Sequence, residues 1–406
     1  MKKFLFSTLL IIAPLLIFSQ VWTGGGADDN WSNALNWDSG VVPNATSAQV
    51  FLASTAASDA IIDITLDMDA VIGQIKINNA GSTNVNYKIN DDGNGRTLTI
   101  GGGTPPTEII QISKSNSDLY FNVNVTINGG NNPQVIKNYA PGWYYFGAGK
   151  TLTLNENLKI VGANNKKANV VFSGTNVMSN TAKTIKLRKY GSLTWETTYN
   201  GAGFLGNVSI GDASAPSDSA GNAATIKAKL EAKNFYIEAG AVVTIAETGS
   251  VVLSGAASVK ETGASGHFLL KSSKTSSAAL IAPNTTSDVR VRFRKNMDAT
   301  QIGSSAREWN LVGVPLTGEE IDDVHLLNNQ LVAGTGAQAG KTSLARWLTS
   351  TDEYQYQSAT DDGTGANDLI GGRGYAISPA ADGDVEFRGY FQEAAVNRGV
   401  FDGDGT

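Results

Sequence analysis

From Phe235 to Val259 the chain places apolar residues in pairs that recur every eight positions. Phe235 goes with Ile237, Val243 with Ile245 and Val251 with Leu253, and Val259 falls next in phase. Side chains of a strand alternate between its two faces, so each pair is two inward positions of a short strand. Gly240, Gly249 and Gly255 stand in the gaps, where a chain without a Cβ can turn sharply. Three such strands make a coil of about 24 residues, the size of the units that stack in solenoids. Ile185 with Leu187 and then Leu193 with Trp195 repeat the spacing upstream. Further short alternating runs at Arg96–Ile100, Glu108–Ile112, Leu119–Ile127, Thr151–Leu154 and Val170–Phe172 extend it toward the N-terminus. The pattern predicts an all-β chain built on one continuous parallel β-solenoid.

The ends break the pattern. Lys2 and Lys3, an apolar run from Phe4 to Phe18 and then Ser19 and Gln20 follow the order of a secretory leader, so residues 1–20 are expected to be removed on export. The run is short for a membrane span and is interrupted by Pro14, and no later stretch has the apolar length of a spanning helix. Just after it, Trp22, Trp31, Trp37 and Pro43 lie among glycines and asparagines rather than in alternation. The favoured reading is a cap over the open end of the first coil, which terminal repeats require. Stacking of these tryptophans on sugar rings is the alternative.

This arrangement of tryptophans ahead of a Gly-x-Val-Pro turn, directly behind a leader, resembles the start of many secreted β-helix proteins of Bacteroidetes-type bacteria. That group is functionally mixed. The resemblance implies a right-handed β-helix, export by the type IX secretion system, and a place at the cell surface or outside it.

Three stretches carry candidate chemistry. Ile62, Ile64, Leu66 and Met68 alternate with Asp63, Thr65, Asp67 and Asp69, which predicts three carboxylates on one strand face. Asp63, Asp67 and Asp69 are candidate calcium ligands, although a solvated outer face explains them more simply, because calcium needs six or more converging oxygens. In Asn138–Lys150 the cluster Trp143, Tyr144, Tyr145 and Phe146 suggests a loop that protrudes to bind or folds back as a lid, with aromatic packing the commoner outcome. Arg290, Arg292 and Arg294 alternate with Val291 and Phe293, giving a basic strand face that either meets solvent or grips an anionic polysaccharide.

The Ser/Thr-rich segment after Ser272 suggests a boundary, and residues 289–406 are expected to form a second, smaller β-sandwich-like module after a solenoid of residues 21–288. Trp309, Leu311, Val312, Gly313, Pro315, Trp347, Gly372, Gly374, Tyr375, Phe387 and Gly389 occur in an order similar to that of a module preceding the sorting signal in many type IX substrates. The closing strand of that signal is not evident before Thr406, so the module is expected to be incomplete.

Composition narrows the function classes. The formal net charge of −6 argues against a nucleic-acid partner, and loss of the lysine-bearing leader makes the mature chain more acidic still. With no cysteine there is no disulfide, thiolate nucleophile or cysteine metal site. The two histidines, His267 and His325, are far apart in sequence, and no serine-hydrolase elbow, zinc-protease helix or phosphate loop occurs. The expectation is a non-catalytic, structural or adhesin-like surface protein with no obligate cofactor, calcium apart, and with glycans or a host matrix as candidate partners. A carbohydrate-binding module is the first alternative, and a polysaccharide lyase or hydrolase on a β-helix is the second. Three arrangements separate these: charged residues in register for an enzyme, aromatics stacked along one face for glycan binding, and a plain Asn/Ser/Thr face for a passive stalk.

Overall fold

The eight-residue pairs become strands of a three-sided parallel solenoid. This computed structural model describes residues 19–54, 59–79, 84–102, 108–113, 116–129, 133–147, 149–163, 166–173, 183–196, 205–211, 222–238, 240–255, 257–259, 267–282, 290–297, 301–302, 306–307, 309–313, 316–317, 319–320, 331–348, 350–358, 368–369 and 374–391. Strand Val242–Ile245 lies between Ala223–Ile226 and His267–Lys271, with Val243 level with Ala224 and Phe268. Repeated from Ile61–Leu66 to Arg290–Met297, this pairing builds the first face, part of a twelve-stranded sheet.

A second sheet of fifteen strands supplies the other two faces. Strand Ala70–Ile77 shows how one sheet covers two sides. Its first half pairs with Thr97–Gly101 and its second half with Glu108–Ile112, so it crosses a corner without a break. Lys229–Ile237 does the same with Ser250–Leu253 and Ala257–Val259. Glycine makes two neighbouring corners possible: Gly240 has φ +79°, and a Cβ on Gly249 would run into the carbonyl of Ile226.

The core is a set of inward columns, one residue per coil. On the first face one column runs Ile64, Ile89, Phe121, Phe146, Phe172, Trp195, Ile226, Ile245, Leu270, Phe293. Rings along it meet at 5.0 Å (Phe121 and Phe146), 5.3 Å (Phe146 and Phe172) and 5.8 Å (Phe172 and Trp195). Burying each such side chain contributes roughly 1.5–3 kcal/mol, but only while a coil lies on both sides of it.

Both ends are therefore closed. At the N-terminal end Trp22, Trp31 and Trp37 are buried, with ring centroids 5.0 Å (Trp22 to Trp37) and 4.8 Å (Trp31 to Trp37) apart. Trp31 Nε1 donates to the Pro43 carbonyl at 3.1 Å, and Trp37 Nε1 donates to the Trp31 carbonyl at 2.8 Å. Of the expected leader, residues 1–18 lie outside the described residues. Ser19 and Gln20 begin a strand, Ser19–Trp22, that pairs with Ala45–Leu52.

At the other end, strand Gly383–Phe391 returns antiparallel along Arg290–Met297 and sets Phe387 against Phe293, ring centroids 6.4 Å apart. Arg290–Met297 thus continues the solenoid's first face past residue 288. Between these strands the chain forms a four-stranded antiparallel sheet of Asn310–Gly313, Gly374–Ile377, Lys341–Leu348 and Glu353–Ser358. Val312, Leu344, Tyr375 and Ile377 are buried, whereas Trp309, Leu311, Trp347 and Tyr354 are exposed. Pro315, Gly372 and His325 lie outside the described residues.

Candidate functional site

Outward positions obey the same register as the core, so residues about one coil apart in sequence become neighbours. On the first face one outward row runs Asp63, Lys88, Tyr120, Tyr145, Val171, Thr194. Tyr120 and Tyr145 are stacked, with centroids 4.5 Å apart and planes 5° apart. Trp143, two residues before Tyr145 and hence on the same side, lies 6.0 Å from it with planes 17° apart. Lys88 Nζ sits 5.8 Å from the other side of this ladder, at the Tyr120 ring.

The two tyrosine faces cover each other, so what they present outward is ring edge and hydroxyl. Trp143 is 38% exposed and keeps part of its indole in solvent. Asp118 holds the group in place: its Oδ1 accepts from the Trp143 amide at 2.9 Å and its Oδ2 from the Tyr120 hydroxyl at 3.4 Å. Burial raises the Asp118 carboxyl above its usual range despite those two hydrogen bonds. Burial, reinforced by the Asp118 charge, pushes Tyr145 up to about 12 and raises Tyr120 as well. Both hydroxyls therefore remain protonated donors at neutral pH. Next to Trp143 in register come Asn169 and then Ser192, adding amide and hydroxyl groups.

Trp143–Phe146 is a strand of the first face, not the protruding loop or lid expected for Asn138–Lys150. The period-two alternation of WYYF was hidden because all four residues are aromatic. Tyr144 and Phe146 point inward, and Trp143 and Tyr145 outward. Tyr144 is fully buried, donates to the Lys137 carbonyl at 3.1 Å and is raised well above its ordinary pKa by burial, so it packs and presents no ligand surface. Trp22, Trp31 and Trp37 are likewise buried in the N-terminal cap, where their rings contact one another rather than a ligand. Tyr120 was missed by sequence reading. It meets Tyr145 only through the pairing of coils.

The three acidic candidates are dispersed. Only Asp63 belongs to the strand Ile61–Leu66, while Asp67 and Asp69 sit on the corner that follows. Asp63 accepts from Asn90 Nδ2 at 2.8 Å, and Asn90 in turn accepts from Asn122 at 2.9 Å, a polar ladder across three coils. Asp67 binds the amide and hydroxyl of Ser32 and so ties the cap to the first coil. Asp69 accepts from the Thr97 amide at 2.9 Å. Among the described residues no three acidic or histidine side chains gather as a metal would need, and no helix is long and apolar enough to cross a membrane.

The arginine strand keeps a partly solvated face and also makes ion pairs that neither expectation named. Arg294 Nε donates to Glu386 Oε2 at 2.6 Å, Arg388 Nε to Glu386 Oε1 at 2.8 Å, and Arg292 lies 3.9 Å away. Arg290 packs over the Tyr390 ring. These cations fasten the closing strand. Burial raises the Glu386 carboxyl, but the hydrogen bonds and charges of Arg388 and Arg294 outweigh it and hold the pKa below its ordinary value.

A cleft of about 560 Å³ between cap and first coil is lined by Trp22, Thr23, Asp29, Ser54, Ile61 and Asp63, and a smaller one of about 200 Å³ by Trp309, Lys341 and Tyr356. Among the described residues neither lining brings an acid and a base into hydrogen-bond contact. The structure thus defines an all-β parallel solenoid with an aromatic and polar patch on its first face. No family model matches the chain, and no curated protein or solved structure matches it.

Proposed function

We propose that this protein is a non-catalytic extracellular or cell-surface solenoid that binds glycans through the patch centred on Trp143. The observation that carries the reading is the outward ladder of Tyr120, Tyr145 and Trp143 on the first face, flanked by Asp118, Asn169 and Ser192. An exposed indole suits the apolar face of a sugar ring, and the flanking donors and acceptors suit its hydroxyls. The rigid coil stack places these groups before any ligand arrives, which lowers the ordering cost of binding. Export fits the leader-like residues 1–20 and the absence of cysteine does not oppose it.

The test is affinity of the purified mature chain for a panel of neutral and charged polysaccharides, with product release assayed on the same panel. Trp143→Ala is expected to lower affinity by about two- to tenfold, the scale of one lost stacking contact. Release of oligosaccharides would replace this reading with a polysaccharide-cleaving one. Binding that is unaffected by Trp143→Ala would remove the patch from the argument.

A further inference from the structure

We infer that the glycan bound at the Trp143 patch is a polyanion, a carboxylated or sulfated polysaccharide, and that it continues over the adjacent corner onto a lysine-lined face. This rests on the glycan-binding reading and names its substrate class. The charge distribution starts the case. Between Gln134 and Trp195 the chain has nine basic residues against the single acid Glu156, in a protein of net charge −6.

The fold then gathers Lys137, Lys159, Lys186 and Arg188 on one face. On the third face Lys76, Gln111, Lys137, Val161 and Arg188 follow one another in a single outward row. In the next outward row Lys159 is level with Lys186. Neighbouring coils are about 4.8 Å apart, so the row from Lys76 to Arg188 spans roughly 19 Å, room for several sugar units. Among these nine cations Lys137 pairs with Glu108 at 2.6 Å, Lys150 with Asp91 at 2.7 Å and Lys183 with Glu156 at 3.4 Å.

Lys166, Lys167 and Lys189 are exposed at the corner joining this face to the first. That corner adjoins Trp143. Asn138 Nδ2 donates both to the Gly142 carbonyl and to the Lys167 carbonyl at 3.0 Å, so the residue preceding Trp143 and the corner lysine are tied to one side chain. One coil later the Gly162 amide donates to the Lys189 carbonyl at 2.7 Å. The strand that carries the indole and the corner that carries the lysines are thus direct neighbours. Cationic side chains at alternate coils fit repeating carboxylates or sulfates, and the chain's net charge of −6 favours a sugar chain over nucleic acid.

The experiment measures affinity of the full mature chain for heparin, polygalacturonate, neutral dextran and a 20-nucleotide DNA strand, at about 50 and 300 mM salt. The expected result is preference for the two anionic glycans, with affinity falling at least about tenfold between the two salts as counterion release requires. Lys159→Gln/Lys186→Gln/Arg188→Gln and, separately, Lys166→Gln/Lys167→Gln should each lose anionic-glycan affinity about tenfold, whereas Lys341→Gln in the C-terminal sheet should bind as the parent does. Circular dichroism of every variant must match the parent. Parent-like binding by both lysine variants would overturn the inference, even if Trp143→Ala still weakens neutral glycans. Loss in the lysine variants with no effect of Trp143→Ala would sink the patch and leave a polyanion track. DNA binding as tight as glycan binding would overturn the assignment to sugars.

Discussion

If Trp31 closes the solenoid, its removal should cost stability and leave ligand binding alone, the reverse of Trp143→Ala. Trp31 has no exposed surface, packs on Trp37 at 4.8 Å and donates to the Pro43 carbonyl. Truncating so large a buried ring costs about 3–5 kcal/mol. The orphaned Pro43 carbonyl adds about 1 kcal/mol unless water reaches it. Trp31→Phe keeps most of the packing and isolates the hydrogen bond, so it should cost about 1–2 kcal/mol. Trp143, by contrast, is 38% exposed, and its truncation should cost the fold about 1 kcal/mol or less. Because coils contact only their neighbours, loss of the cap should fray the first coils before the rest. Urea unfolding followed by both far-UV circular dichroism and tryptophan fluorescence would reveal this as two transitions that no longer coincide. A Trp31→Ala protein as stable as the parent within about 0.5 kcal/mol, but unable to bind glycan, would refute the capping argument.

Other outcomes follow from the same contacts. Glu386→Gln should weaken the closing strand by about 1–2 kcal/mol at neutral pH, a value reduced because Arg294 and Arg388 are partly exposed. Since the folded carboxyl lies below its ordinary 4.5, its contribution is present above that value and is lost as pH falls through the folded pKa. The gap between parent and variant in urea unfolding should therefore shrink on acidification, and a gap constant from pH 7 down to about 3 would contradict the linkage. Gly249→Val should destabilise by about 1–3 kcal/mol in thermal or urea unfolding, because its Cβ meets the backbone carbonyl of Ile226 rather than a side chain that can move. Calcium or a chelator should shift the melting temperature by less than about 1 °C if Asp63, Asp67 and Asp69 act only through their separate hydrogen bonds; a shift of several degrees would show that a ligand set forms.

Sequence alone determined the solenoid. The pairs Phe235 and Ile237, Val243 and Ile245, and Val251 and Leu253 sit on three successive strands, as their spacing required. This was legible because inward and outward alternation is local to a strand and corners demand glycine or polar residues. Even there it failed where alternation carries no contrast: Trp143–Phe146 is apolar at every position, and its strand looked like a loop. The tertiary structure decided everything that depends on which coils lie side by side. Tyr120 stacks on Tyr145 and Lys159 lies beside Lys186 only because coils of unequal length come into register. Glu386 reaches Arg294 across 92 positions of sequence, and no period in the chain announces it. Strand faces are fixed by bond geometry within a few residues. Functional surfaces on a solenoid are sums over neighbouring coils, and their alignment is set by the lengths of the corners between them.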